Sequence, residues 1–179
     1  MRIVFYLLSI VVANVVTARS APLEFGMFIV PMGTFFVGAT FIFRDLVQNK
    51  YGRKKTYFFI FLALFLSGTA SFLLGDTLMI VAASALSFVI AETADTEIYT
   101  RLKLPMAWRV FYSGIVGGLF DSVIFVIVGL SPLGAGFLPW AAVPAAIVGQ
   151  VVVKTVVQLL GALILSQGLA IKEKRLTEV

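Results

Sequence analysis

The sequence predicts an all-α integral membrane protein with six transmembrane helices. Two facts of composition and one pattern carry that prediction. Hydrophobic residues make up 60% of the 179-residue chain and charged residues 13%, against about 45–50% and about 25% in soluble domains. The Lys and Arg residues lie in short runs between apolar segments, as in QNKYGRKK and IKEKR, which is how cytoplasmic loops of membrane proteins are marked. The net charge of +5 is therefore a topology signal, and no nucleic-acid partner is expected.

The first helix is expected from Ile3 to Ala18, the second from Met27 to Val47 and the third from Thr56 to Leu74. The fourth should span Thr77 to Thr100, the fifth Met106 to Leu130 and the sixth Trp140 to Ile171. Each is long enough for a hydrocarbon core of ~30 Å, the first only just. The connections are short and rich in breakers: Arg19-Ser20-Ala21-Pro22, Gly75-Asp76 and Ser131-Pro132-Leu133-Gly134. Residues 1–179 are expected to form one domain. The start, Met1-Arg2 and an apolar run ending at Thr17-Ala18-Arg19-Ser20-Ala21, loosely resembles a signal peptide. Asn14 interrupts that run, and removing it would leave the charge bias unexplained, so it is read as a span.

Orientation follows from the basic residues. Arg2, Lys50, Arg53, Lys54, Lys55, Arg101, Lys103, Lys172, Lys174 and Arg175 fall on one side, and Arg19 alone on the other. Both termini are thus expected in the cytoplasm, with the chain in the cytoplasmic (inner) membrane.

The chain has no Cys and no His. Disulfides, thiolate metal sites and Cys- or His-based nucleophiles are excluded, and neither a metal nor a cofactor is expected. Any proton coupling would have to use carboxylates.

Ionisable groups within the apolar runs are the functional candidates, because each costs roughly 2.5–3.5 kcal/mol on insertion scales. On the fourth helix Ser84, Phe88, Glu92, Asp95 and Tyr99 recur at steps of four and three and share a face. Glu97 points elsewhere and reads as an interface charge near Arg101 and Lys103. On the fifth helix Arg109, Ser113, Gly117 and Asp121 form a stripe, with Asp121 about 18 Å from Arg109 at ~1.5 Å per residue. Gly114, Gly117 and Gly118 favour close helix packing. On the sixth, Gln150, Lys154 and Gln158 repeat at steps of four, and a polar stripe on an apolar helix must face the bundle interior. Asp121 is expected to pair with Lys154. Asn14 on the first helix completes a ring of polar groups at similar depth. Arg44 and Asp45 on the second helix read as interface charges, with Asp45 structural. A polar cavity walled by aromatic and small residues suits a flat heteroaromatic ligand. A carboxylate there accepts two hydrogen bonds from a guanine-type edge, and aromatic rings stack on its faces.

At these residues the chain resembles the queuosine precursor transporter family, also called the vitamin uptake transporter (VUT, YhhQ-type) family. Asn14 matches an Asn of the first span, and Asp45-Leu46 with Tyr51-Gly52 match the end of the second. The family's Gln-x-x-Asp, aromatic and Arg-Leu of the fourth span correspond to Glu92-Thr93-Ala94-Asp95, Tyr99 and Arg101-Leu102. Ser113 and Asp121-Ser122 match the fifth span, and Lys154 matches a buried Lys in the sixth. The resemblance implies uptake of 7-deazaguanine precursors of the tRNA base queuosine: 7-cyano-7-deazaguanine, 7-aminomethyl-7-deazaguanine or queuine. It also implies a six-helix fold similar to the substrate-binding subunits of energy-coupling-factor transporters. Substrate contacts are then expected from Asn14, Glu92, Asp95, Tyr99, Ser113, Asp121, Gln150 and Lys154, with Asp95 or Glu92 on the guanine-type edge. Glu92 stands where the family usually has Gln, which would favour the cationic aminomethyl base. Asn49 stands where many members carry an acid.

Other readings remain at the level of sequence. The chain would also suit a substrate-binding subunit working with separate ATPase subunits, or a membrane scaffold whose charges only fix helix pairing. An intramembrane carboxylate enzyme is disfavoured, because Glu92 and Asp95 share one helix. The expected partners are a small deazapurine and the bilayer; the coupling ion and any homo-oligomer are left open.

Overall fold

The computed structural model describes the backbone of all residues except Met27, Glu178 and Val179, and side chains up to Gly168 apart from Met27. Six long helices make up most of the fold: α1 (Arg2–Arg19), α2 (Thr34–Tyr51), α3 (Arg53–Leu73), α4 (Leu78–Arg101), α5 (Met106–Ile124) and α6 (Val143–Thr177). Helix α5 continues as a π-helical turn over Phe125–Leu130, and a 3-10 turn over Trp140–Ala142 leads into α6. Five of the helices are long and apolar enough to cross a membrane. The sixth, α2, carries Arg44, Asp45 and Lys50 within 18 residues. Arg44 and Asp45 are wholly buried, and α2 packs against each of the other five helices. The Arg44 and Asp45 charges therefore face protein and not lipid, and Lys50 is exposed near the helix end.

The expected helices are found, with shifted ends. The largest correction is at the second. Its expected first turn is instead an antiparallel hairpin, β1 (Leu23–Phe25) with β2 (Phe28–Val30), in which Leu23 faces Val30 and Phe25 faces Phe28. Gly26 supplies a positive φ of 59° at the turn, and Pro31 follows β2, so a helix starts only at Thr34. Met27, the expected first residue of that helix, lies outside the described residues. Helix α3 begins at Arg53, three residues before the expected Thr56, because Gly52 at φ 80° separates it sharply from α2. Helix α4 starts where the Thr77 hydroxyl accepts from the Ile80 amide at 3.4 Å, a side-chain N-cap.

Polarity is inverted relative to a soluble protein. Phe58, Phe61 and Phe65 on α3 are each about two-thirds exposed, and Val152, Val156 and Leu160 on α6 are about half exposed. Buried positions include Arg44, Gln48, Glu92, Asp95, Lys154 and Gln158. An apolar outside around a polar inside is stable only where the surrounding solvent is hydrocarbon. The protein is a multi-pass membrane protein.

The helices alternate in direction, so the basic residues gather at one end. There the Arg2 guanidinium donates to the Leu46 carbonyl at 3.1 Å. Arg53 meets Glu97 at 2.5 Å, the Tyr57 hydroxyl donates to Glu97 at 2.6 Å, and Arg101 stands 3.7 Å from it. Glu97 is thus an end charge, as expected. The side chains of Lys172, Lys174 and Arg175 lie outside the described residues. The opposite end holds the hairpin, the α3–α4 turn at Gly75 and the loop from Ser131 to Pro139.

Candidate functional site

A cavity of about 560 Å³ opens at the end away from the basic residues. Exposed Ser20, Pro22 and Phe137 stand at its rim, and Asn14, Ser84, Asp121, Gln150 and Lys154 line its depth. This size falls within the ~300–1,000 Å³ range of small-molecule sites. Toward the basic end lies a void of about 60 Å³, lined by Asn14, Thr40, Ser67, Ser84, Glu92 and Asp121 among others. Asn14, Ser84 and Asp121 border both spaces.

The wall between α5 and α6 is held by an ion pair. Lys154 Nζ donates to Asp121 Oδ2 and to Ser122 Oγ, each at 2.7 Å, and more weakly to Gln150 Oε1 at 3.4 Å. Both line the cavity, with Lys154 buried and Asp121 15% exposed, so the carboxylate is the more open member of the pair. The expected Asp121–Lys154 pair is therefore present. Opposite it, Asn14 Nδ2 donates to Ser67 Oγ at 3.0 Å and to the Ser67 carbonyl at 3.2 Å, fixing the amide between α1 and α3. That leaves the Asn14 amide oxygen as its available acceptor. The Gln150 amide nitrogen is buried with no hydrogen-bond partner among the described residues.

Below the void, Arg44 on α2 gathers three acids. Its Nη2 meets Asp45 Oδ1 at 3.0 Å and also Asp95 Oδ2, and its Nε meets Glu92 Oε2 at 3.2 Å. Nη1 donates to Thr96 Oγ1 at 2.7 Å and Gln48 Oε1 at 2.9 Å. Gln48 is held in turn by the Thr100 hydroxyl, to which its amide donates at 2.8 Å. Ser113 Oγ donates to Asp45 Oδ2 at 3.4 Å. Arg44, Asp45, Glu92 and Asp95 are all buried. The expectation that Arg44 and Asp45 are interface charges is corrected: both point inward. A planar guanidinium spreads five N–H donors over a rigid fork, against three on the single nitrogen of an ammonium.

The α4 stripe read from the sequence runs continuously from the cavity to the basic end. Ser84 borders the cavity, Phe88 and Glu92 border the void, and Asp95 sits on Arg44. At Tyr99 the Arg109 guanidinium lies 4.0 Å from the ring centre and donates to the Tyr99 carbonyl at 3.1 Å. The α5 stripe faces it step for step. Gly117 passes Asp95 so closely that a Cβ there would lie 2.9 Å from the Asp95 Cβ. The eight candidate residues thus fall in two groups. Asn14, Asp121, Gln150 and Lys154 line the open cavity and Glu92 the void, whereas Asp95, Tyr99 and Ser113 line neither. Sequence reasoning passed over Arg44. Thr40, Arg44 and Gln48 repeat at steps of four, the same signal that picked out Gln150, Lys154 and Gln158.

A multi-pass helical bundle with a one-sided cavity and a charged plug beneath it has the architecture of a membrane transporter. The family model described as "Putative vitamin uptake transporter" matches residues 69–167, and the chain belongs to that family. The matched stretch includes Glu92, Asp95, Tyr99, Ser113, Asp121, Gln150 and Lys154. Comparison with curated proteins and with solved structures found no match.

Proposed function

We propose that the protein imports a 7-deazaguanine precursor of queuosine, namely 7-cyano-7-deazaguanine, 7-aminomethyl-7-deazaguanine or queuine, across the cytoplasmic membrane for tRNA modification. The observation that carries the reading is the open cavity ending on Asp121, Gln150 and Asn14. Asp121 is the carboxylate available to the ring N–H and exocyclic amine of a guanine-type edge, while Lys154, 2.7 Å away, holds it in place. Asn14 offers its carbonyl oxygen, and Gln150 brings a donor without a partner among the described residues. Phe125 supplies an aromatic face.

Asp95, Tyr99 and Ser113 belong to the second half of the path, met by the base once the floor of the cavity parts. Glu92 stands between the halves. The void beside it is too small for a bicyclic ring but admits an aminomethyl arm, whose cation would meet Glu92 in its ionised form, where a neutral base would leave that charge to be balanced otherwise. With the basic end in the cytoplasm, the cavity faces outward and both termini lie inside. Residues 1–179 act as one transport unit in this reading.

The test is binding of the three bases to purified protein. Asp121→Asn should weaken binding by about 10- to 100-fold, the worth of a charged hydrogen bond, with the protein still folded. Unchanged affinity would remove Asp121 from the site. The aminomethyl preference over the cyano base should shrink in Glu92→Gln, and an unaltered ratio would sink that part.

A further inference from the structure

The Arg44 cluster is not balanced. One guanidinium faces Asp45, Glu92 and Asp95, so three ionised acids would leave two uncompensated negative charges in a buried, membrane-embedded core. Each such charge is costly without a counter-ion or a bound proton, and one proton removes one of the two. A bound proton is one such counter-charge, and the geometry of Glu92 suits it.

The three acids are not equivalent. Asp95 is the acid closest to Arg44, and Asp45 adds a contact from Ser113. Glu92 has the longest ion pair of the three, at 3.2 Å. Its two oxygens, like those of Asp95, have no hydrogen-bond partner among the described residues. The Tyr6 hydroxyl of α1 lies beside it, wholly buried and likewise without a partner among those residues. A tyrosine O–H can donate to a carboxylate or accept from a carboxylic acid, so Tyr6 serves Glu92 in either state. Of the cluster's acids, Glu92 alone borders the 60 Å³ void. A space of that size holds water where polar groups line it, and Asn14, Thr40, Ser67, Ser84 and Asp121 do so. Asp121 and Asn14 also border the open cavity, so the void adjoins it across those side chains.

We propose that Glu92 is a proton-binding site that exchanges with the cavity through this void, and that import is coupled to the inward movement of that proton. The coupling rests on the import reading above; the proton site does not. The proton comes from hydronium in the cavity, converts the Glu92 carboxylate to a neutral carboxylic acid, and returns to water at the basic end when the floor opens. Facing Glu92 are Tyr6 from α1, Arg44 from α2, Asp95 from its own helix and Asp121 from α5. Asp45 shares Arg44 with it, Lys154 of α6 stands behind Asp121, and α3 contributes Ser67.

The test has two arms on the full chain in liposomes. In the first, ligand-free infrared spectra at neutral pH should contain a protonated-carboxyl band that shifts in D2O and is lost in Glu92→Gln but kept in Asp45→Asn. A wild-type protein without the band, or a band that survives Glu92→Gln or vanishes in Asp45→Asn, overturns the proton site. Thermal melting and size-exclusion profiles of each variant establish that it is folded. In the second, an inside-alkaline gradient should raise accumulation of neutral 7-cyano-7-deazaguanine severalfold in wild type and leave Glu92→Gln indifferent. Uptake that ignores the gradient overturns the coupling while leaving the import reading in place. Absence of any uptake overturns both the import reading and the coupling built on it, and the infrared arm still decides the proton site.

Discussion

Arg44 shows how a single residue organises a membrane core. It is wholly buried, touches three carboxylates, and donates to Thr96 and Gln48. Removing one partner of a buried ion pair costs about 3–5 kcal/mol because the remaining charge is stranded. Arg44→Met should therefore lower the melting temperature of the purified protein sharply. Arg44→Lys should recover only part of the loss, since a point charge does not span three acids. Full stability of Arg44→Met in a melting experiment would show that the acids are already neutral without it. The sequence made Glu92, Asp95, Asp121 and Lys154 legible because charge at membrane depth is rare. Arg44 was harder to place because its neighbour Asp45 and the nearby run from Lys50 to Lys55 imitate an interface. Which acid meets which base depends on helix rotation, and no single helix encodes that.

At the scale of the element, the six apolar stretches were legible because each is long. The hairpin was not, because strands of three residues are too short to show a period of two, and an apolar Phe28-Ile29-Val30 reads as the start of a helix. The π-helical turn after Ile124 left no signature in composition either. Glycine positions on α5 are the readable part of its packing. A Cβ on Gly117 would lie 2.9 Å from the Asp95 Cβ and 3.1 Å from the Phe41 ring, whereas one on Gly118 would lie 3.3 Å from the Lys154 Cβ. Overpacking costs about 1–3 kcal/mol. Gly117→Ala should accordingly lower stability more than Gly118→Ala, and should disturb Asp95 directly. Equal melting temperatures for the two variants would contradict the close α4–α5 approach.

At the scale of the whole molecule, the chain has one wet end and one sealed end. Because it contains no Cys, single cysteines report sidedness cleanly. Ser20→Cys, at the cavity rim, should react with a membrane-impermeant maleimide added to intact cells. Lys103→Cys should react only after permeabilisation, and the reverse pattern would invert the orientation.

The one-sided cavity also shapes the electric field. An aqueous recess conducts, so the transmembrane voltage does not fall evenly across the bilayer. It drops mostly over the dry layer between the floor at Asp121 and the basic end, which is the layer containing Arg44. A full membrane potential is worth about 2.3 kcal/mol per charge per 100 mV, and here that work is concentrated in the dry layer. An ion stepping from the cavity to Glu92 enters that layer, and the rest of the electrical work is done on the step beyond it.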